Sequence, residues 1–245
     1  LPPATPGAHI DVHLPDGRSR QYSLLSSAPY TIAIKAVRDG RGASQWLHDT
    51  LSVGDTIRIG TPRNNFGLRE GATDTVLLAG GIGVTALLCM YDALVAGGHT
   101  VCLHYWARSV EETFLHAQLS GRPGLHIHTC GGRVTSMAAI IAEHGPQADL
   151  YCCGPTRMLA EFTALTQDRD PGTVHIERFE ADSAAMPEAS DEGFSVRLAR
   201  SGTTIAVGKD QSILEALTDA GVDIEYSCRS EEHTLNSSHI TISYA

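Results

Sequence analysis

The chain has no apolar run long enough to span a bilayer, so no membrane segment is expected. Its opening residues, LPPATPGAHIDV, have neither the basic start nor the apolar core of a secretory signal. They also lack an initiator Met, so the chain is expected to begin inside a gene. Positive charge is scarce: 18 Lys and Arg stand against 28 Asp and Glu, a formal net charge of -10, with no basic cluster. That argues against nucleic-acid binding and fits a soluble acidic protein meeting a basic partner surface. The six cysteines (Cys89, Cys102, Cys130, Cys152, Cys153 and Cys228) sit mostly within apolar segments. They read as reduced thiols and not as a disulfide framework, which implies a cytoplasmic protein. No internal repeat is present.

What remains is an ordinary globular composition, 42% hydrophobic over 245 residues, enough for one large or two to three small domains. Up to about residue 72 the pattern is β. HIDVHL alternates, RQYSLLS follows a Gly-Arg turn, and YTIAIKAV alternates again, punctuated by Gly17, Gly40, Gly54 and Gly60. Short strands with turn signals predict a small barrel, with one helix at SQWLHDTL capped by Ser44. From Asp74 the rhythm becomes strand then helix: TVLLAGG, VTALLCMYDALVAGG, TVCLHYWAR, EETFLHAQL, GLHIHTC, SMAAIIAEH, ADLYCCGP, RMLAEFTALTQ and TVHIERF. That alternation predicts a parallel sheet covered on both faces. Residues 181–192 are small, acidic and Pro-containing, as in a linker. Beyond them FSVRLARSGTTIAV predicts a hairpin about Ser201-Gly202, with Phe194, Val196 and Leu198 on one face, and SILEALTDAG a short helix ending at Gly221.

Several stretches carry chemistry. In RQYS, strand alternation puts Arg20 and Tyr22 on one face and Ser23 on the other. Cation, aromatic plane and hydroxyl suit a flat electron-rich ring with a phosphate tail, although a polar surface strand reads the same way. GRGAS leads into a helix whose N-terminus could hold an anion, with Arg41 adding charge, or could be a plain turn and cap. In VLLAGGIGVTALL a strand runs into Gly80, Gly81, Ile82 and Gly83 and then a helix carrying Thr85. This is phosphate-cradle geometry without the G-x-G-x-x-G spacing. In YCCGP, Cys153, Gly154 and Pro155 end a strand where open α/β sheets bind ligands, or they form a buried thiol and a turn. Cys228 would need cysteines at 233 and 236 to follow the plant ferredoxin spacing, and the chain has His233 and Asn236 there. A zinc site from Cys228, His233 and His239 is the alternative.

In this order the stretches resemble the phthalate dioxygenase reductase family, especially its vanillate demethylase reductase branch, over about residues 5–228. The resemblance implies a multi-domain protein. A β-barrel flavin-binding domain would span 1–72, lacking its first strand, and an α/β parallel-sheet nicotinamide-binding domain 73–180. The 181–192 linker would lead to an incomplete β-grasp ferredoxin-like module at 193–228. By resemblance Arg20, Tyr22 and Ser23 hold FMN, Ile34 and Lys35 line it, and Gly42, Ala43 and Ser44 take its phosphate, with Ala43 standing where the family usually has Gly. Gly80, Gly81, Ile82, Gly83 and Thr85 would cradle the diphosphate of NADH, and Ala107, Arg108 and Ser109 its ribose. Arg108 leaves NADPH possible. Cys153, Gly154 and Pro155 would flank the nicotinamide, Phe179 would pack against the flavin region, and Ser23 and Cys153 would be the catalytic pair.

The implied activity is that of an NAD(P)H-dependent flavin oxidoreductase, the reductase component of an aromatic-ring oxygenase or O-demethylase. It would pass electrons through FMN and a 2Fe–2S cluster to a terminal oxygenase component, whose aromatic substrate this chain does not name. Cys228 would be the first cluster ligand, but no cysteine follows it. The remainder, RSEEHTLNSSHITISYA, looks like translated sequencing adapter, so residues 229–245 are expected to be an artefactual tail without a core pattern, and no cluster is expected in this chain. The alternatives are a flavin-dependent diaphorase or flavin reductase that uses no cluster, and a non-catalytic nucleotide-binding fragment.

Overall fold

A computed structural model describes residues 1–37, 42–130, 135–179, 194–198, 201–208, 211, 213–222 and 240–243. Arg41, the 181–192 linker, Cys228, His233 and His239 therefore lie outside the described residues. The chain divides into two compact units, Leu1–Phe179 and Glu180–Ala245.

The first unit opens with an antiparallel sheet of β1 (His9–His13), β2 (Ser19–Ser27) and β3 (Tyr30–Ile32), in that order. β1 is covered on its other edge by residues 59–63, bridged at Val12–Ile59 and His9–Arg63. Alternation decides the faces. Ile10 and Val12 turn inward with Ala8, Leu14 and Leu24, and α1 (Ala43–Thr50) adds Ala43 and Leu47 to the same core. The strand expected over YTIAIKAV stops at Ile32. The helix begins at Ala43, with left-handed Gly42 (φ 81°) as its cap in place of Ser44. The Ser44 hydroxyl instead accepts the Val37 N–H at 3.2 Å, tying the helix to the preceding stretch.

The rest of the unit is a five-stranded parallel sheet. Its elements in chain order are β4 (Asp74–Gly80), α2 (Val84–Ala96), β5 (Thr100–Ala107), α3 (His116–Leu119), β6 (Leu125–Thr129), α4 (Met137–Glu143), β7 (Asp149–Cys153), α5 (Thr156–Thr166) and β8 (Val174–Glu177). The spatial order is β6-β5-β4-β7-β8. Strands buried on both faces read as continuous apolar runs, which is why VLLA and LYCC show no alternation. Leu77, Ala79, Tyr105, Tyr151 and Cys153 pack under α2, and Val76, Leu78, Leu150 and Cys152 pack under α4 and α5. Each fully buried Leu here contributes about 1.5–3 kcal/mol. The helix expected over EETFLHAQL shrinks to four residues because Leu115 takes a left-handed conformation (φ 54°).

Residues 64–70 join the two halves and are anchored into the sheet. Phe66 lies edge-on to Tyr151, with ring centroids 5.5 Å apart. Arg69 grips the wholly buried Asp149 through two hydrogen bonds of 2.6 and 2.8 Å, while its backbone N–H donates to the Tyr151 hydroxyl at 2.8 Å.

In the second unit β9 (Phe194–Leu198) is the central strand between β10 (Thr204–Val207) and β11 (Ile240–Ser243), all antiparallel. Val196, Ile205 and Val207 pack with Ile213, Ala216 and Leu217 of α6 (Ile213–Asp219). The hairpin turns at Gly202 (φ 72°), as its sequence predicts. In the last of these strands Ile240 and Ile242 are the register partners of Leu198 and Val196. ITIS is an alternating run, the pattern a strand needs.

Candidate active site

β4 and β7 are neighbours in the sheet, but the chain leaves them in opposite directions, β4 toward β5 and β7 toward β8. That divergence opens a crevice at their carboxyl ends, the place where open α/β sheets bind ligands. Two of the motifs meet there. β4 ends at Gly80, Gly81–Gly83 make one tight turn, and α2 starts at Val84. β7 ends at Cys153, and Pro155 caps α5. A Cβ on Gly80 would fall 2.6 Å from Met158 Sδ and 2.7 Å from Pro155 Cδ. One on Gly154 would fall 3.2 Å from both Gly80 Cα and Gly80 N, and one on Gly83 would fall 2.3 Å from the Cys153 carbonyl oxygen. The two loops therefore touch glycine to glycine. No side chain caps α2; its first N–H, at Val84, bonds back to the Gly81 and Ile82 carbonyls, so the glycine turn runs straight into the helix. The Thr85 hydroxyl is buried and donates to the Ile82 carbonyl at 2.9 Å, so it fixes the turn. Ala107 ends β5 at the same edge; Arg108 is exposed, and the Ser109 hydroxyl accepts the Glu112 N–H at 3.3 Å.

Cys153 and Glu177 are register partners on β7 and β8. Burial pushes the Cys153 thiol well above its ordinary range, and the nearby Glu177 carboxyl adds to the effect. Burial likewise pushes Glu177 up to about 8, so it is a neutral acid at pH 7. Its Oε2 is buried without a hydrogen-bond partner. Sequence reasoning passed over Glu177; the signal was an acid closing the apolar run of VHIERF.

Ser23 Oγ is a second buried polar atom without a partner. Such an atom costs about 1–3 kcal/mol and marks a place where a further group can bond. Ser23 pairs with His9, whereas Tyr22 pairs with Ile10 and Arg20 with Val12, which is the alternation expected of RQYS. Leu25, two residues on from Ser23, packs against the cluster that holds Cys153, and β2 contacts α2.

Tyr22, Ile34 and Trp46 are partly buried against the cluster that includes Ala43. His48 donates a ring N–H to the Ile34 carbonyl at 2.7 Å, and Arg20 donates to the Ser19 carbonyl at 2.7 Å. Lys35 is exposed and Phe179 is 46% exposed, so neither is packed into a wall of the site.

No protein-family model matches the chain. Among curated relatives it is 41% identical over 237 residues to phenoxybenzoate dioxygenase subunit beta of Ectopseudomonas oleovorans, covering 94% of this chain and 73% of that protein. It is 36% identical to phthalate dioxygenase reductase of Burkholderia cepacia, covering 94% and 74%. The chain belongs to the phthalate dioxygenase reductase family. It is also 35% identical to vanillate O-demethylase oxidoreductase of Pseudomonas sp. strain HR199, covering 93% of this chain and 75% of that protein. A solved phthalate dioxygenase reductase, described as a modular structure for electron transfer from pyridine nucleotides to 2Fe–2S, superposes with a TM-score of 0.72 at 36% identity. That superposition covers 93% of this chain and 74% of the solved one. The chain is accordingly an oxidoreductase of this family, and no helix among its described residues is long and apolar enough to cross a membrane.

Proposed function

We propose that this phthalate dioxygenase reductase family member is the reductase component of an aromatic-ring oxygenase or O-demethylase system. It takes a hydride from NADH onto FMN and passes electrons singly, through a 2Fe–2S cluster, to a terminal oxygenase. FMN supplies the chemistry that makes this possible, since it accepts two electrons together and releases them one at a time. The observation that carries the reading is the glycine-on-glycine meeting of GGIG and CGP at the crevice, with an orphaned hydroxyl, Ser23, on β2, the strand that packs on α2.

The residues present fit both nucleotides. Tyr22 presents an aromatic plane and Ile34 an apolar edge for the flavin ring. The start of α1, at Ala43 and Ser44 behind left-handed Gly42, carries no side-chain cap and would take its phosphate. Ser23 would supply a buried hydroxyl to donate to the reacting edge of the ring. Gly80, Gly81, Ile82 and Gly83 leave room for a diphosphate over the start of α2. Cys153, kept a neutral thiol by burial, gives the nicotinamide a soft uncharged floor, and neutral Glu177 can donate a proton beside it. Ser109 offers a hydroxyl to the cofactor ribose, and Arg108 would favour a 2′-phosphate if NADPH were used. Phe179, exposed where the chain leaves β8, would cover the flavin. We place the protein in the cytoplasm, with the terminal oxygenase component as partner and no nucleic-acid or membrane partner.

The test is anaerobic mixing of the FMN-loaded chain with NADH. Bleaching of the flavin bands in a single fast phase is expected, with Ser23→Ala slowing the phase and leaving FMN affinity nearly unchanged. A chain that binds FMN but is not reduced by either NADH or NADPH would overturn the reading.

A further inference from the structure

A second group of reactive side chains lies toward the amino end of the sheet, opposite the crevice. Asp74 opens β4, Cys102 lies on β5 as the register partner of Val76, and His144 caps the C-terminus of α4. His144 Nδ1 is 2.9 Å from Asp74 Oδ2, and His144 Nε2 is 3.6 Å from Cys102 Sγ. The carboxylate accepts the Nδ1–H, so Nε2 carries no proton and accepts the Cys102 S–H. Nucleophile, base and orienting acid thus stand in a row, each supplied by a different element. Cys102 packs against the apolar cluster of Val76, Leu78 and Ile140, and Cys102, His144 and Asp74 all keep partial exposure to solvent.

We propose that Cys102 is a covalent modification site for uncharged, electron-poor alkenes of the α,β-unsaturated carbonyl class, with His144 as its general base. Burial, with Asp74 and Glu143 adding to it, pushes the thiol up to about 12, so at neutral pH it rests as S–H and not as thiolate. A buried thiol without help is inert. This one has a base placed to take its proton as the sulfur attacks. In that step sulfur bonds to the β-carbon of the alkene, the S–H proton passes to His144 Nε2, and the π pair moves to the α-carbon. The imidazolium then gives its proton to the α-carbon, so one S–H adds across one C=C with no oxidant or reductant consumed. Asp74 holds the ring and stabilises the imidazolium that exists between the two transfers. The charged groups facing the pair are Asp74 on β4 and Glu143 on α4, and the imidazole that senses His144 is His104 on β5. Both charges are negative, which favours the imidazolium. The apolar wall of Val76, Leu78 and Ile140 suits a neutral carbon electrophile better than a charged one.

N-Ethylmaleimide is the probe, with the labelling rate of each cysteine followed by peptide mass spectrometry. Cys89 is the internal control: it is also partly buried, burial also raises its thiol, and among the described residues no imidazole bonds to it. Cys102 is expected to label faster than Cys89. His144→Gln should slow Cys102 by about a hundredfold, the lower end of what a positioned base contributes, and leave Cys89 unchanged. The Cys89 rate also reports the fold, since opening of the chain would speed both thiols. The pH profile of the unaltered chain makes the same test without a substitution. With His144 as base the Cys102 rate levels off once the imidazole is neutral, whereas a thiol ionising alone gains about tenfold per pH unit up to its pKa. Labelling of Cys102 no faster than Cys89 would overturn the proposal. So would a Cys102 rate indifferent to His144→Gln, or one that climbs without a plateau to about pH 10.

Discussion

Ser23 and Glu177 carry the most specific chemistry, because each holds a buried polar atom without a hydrogen-bond partner among the described residues. Ser23→Ala removes one hydrogen bond to a group that gains charge as the hydride arrives. The expected loss is about 1.5–3 kcal/mol, or about ten- to a hundredfold in the rate of flavin reduction by NADH, measured by stopped flow. Glu177 makes a prediction about pH. Its folded pKa is raised above the unfolded value, so the folded state binds the extra proton and stability falls as pH rises from the unfolded pKa of 4.5 through about 8. Glu177→Gln keeps the neutral form and should flatten that part of the profile. His104 works in the opposite sense. It is held neutral in the fold down to about 4, so stability falls as pH drops from 6.5 toward 4, and His104→Gln should remove that part of the acid sensitivity. The two windows overlap, so the measurement is the difference between each variant and the parent in urea midpoints across pH 4–8.

The crevice is built by elements whose sequences had to be compatible with one another. Gly80 and Gly154 are required by each other, since a methyl on either enters the other's backbone or Met158. Gly80→Ala is therefore expected to lower stability by about 1–3 kcal/mol and to weaken NADH binding with it, as measured by denaturation and by fluorescence titration. Arg69 and Asp149 fasten the connecting segment to β7. Asp149→Asn leaves the partly exposed Arg69 in water but takes the buried acceptor charge away, and a loss of about 1–3 kcal/mol is expected in thermal or urea unfolding. At this level much was legible in the chain itself. The parallel strands, their helices and the two glycine loops follow from periodicity and breaker residues. The Ser44 cap was misplaced because Gly42 ends the turn in a conformation that only the fold makes apparent. The short α3 follows from the left-handed Leu115, a choice made by tertiary packing against propensity. Glu177 could not be read, because burial and cross-strand register are properties of the assembled sheet.

The unit Leu1–Phe179 contains both proposed nucleotide sites, so flavin reduction by NADH should need nothing beyond it. The cluster step would fall to residues outside this unit, where Cys228 stands in the sequence at the place of a first cluster ligand. The measurement that goes straight to the central claim is an absorption spectrum of the FMN-loaded chain before and after anaerobic NADH. Flavin bands that bleach on NADH addition are the predicted result. Flavin bands that persist unchanged with both NADH and NADPH, in a chain that holds FMN, would contradict the assignment of hydride transfer to this site.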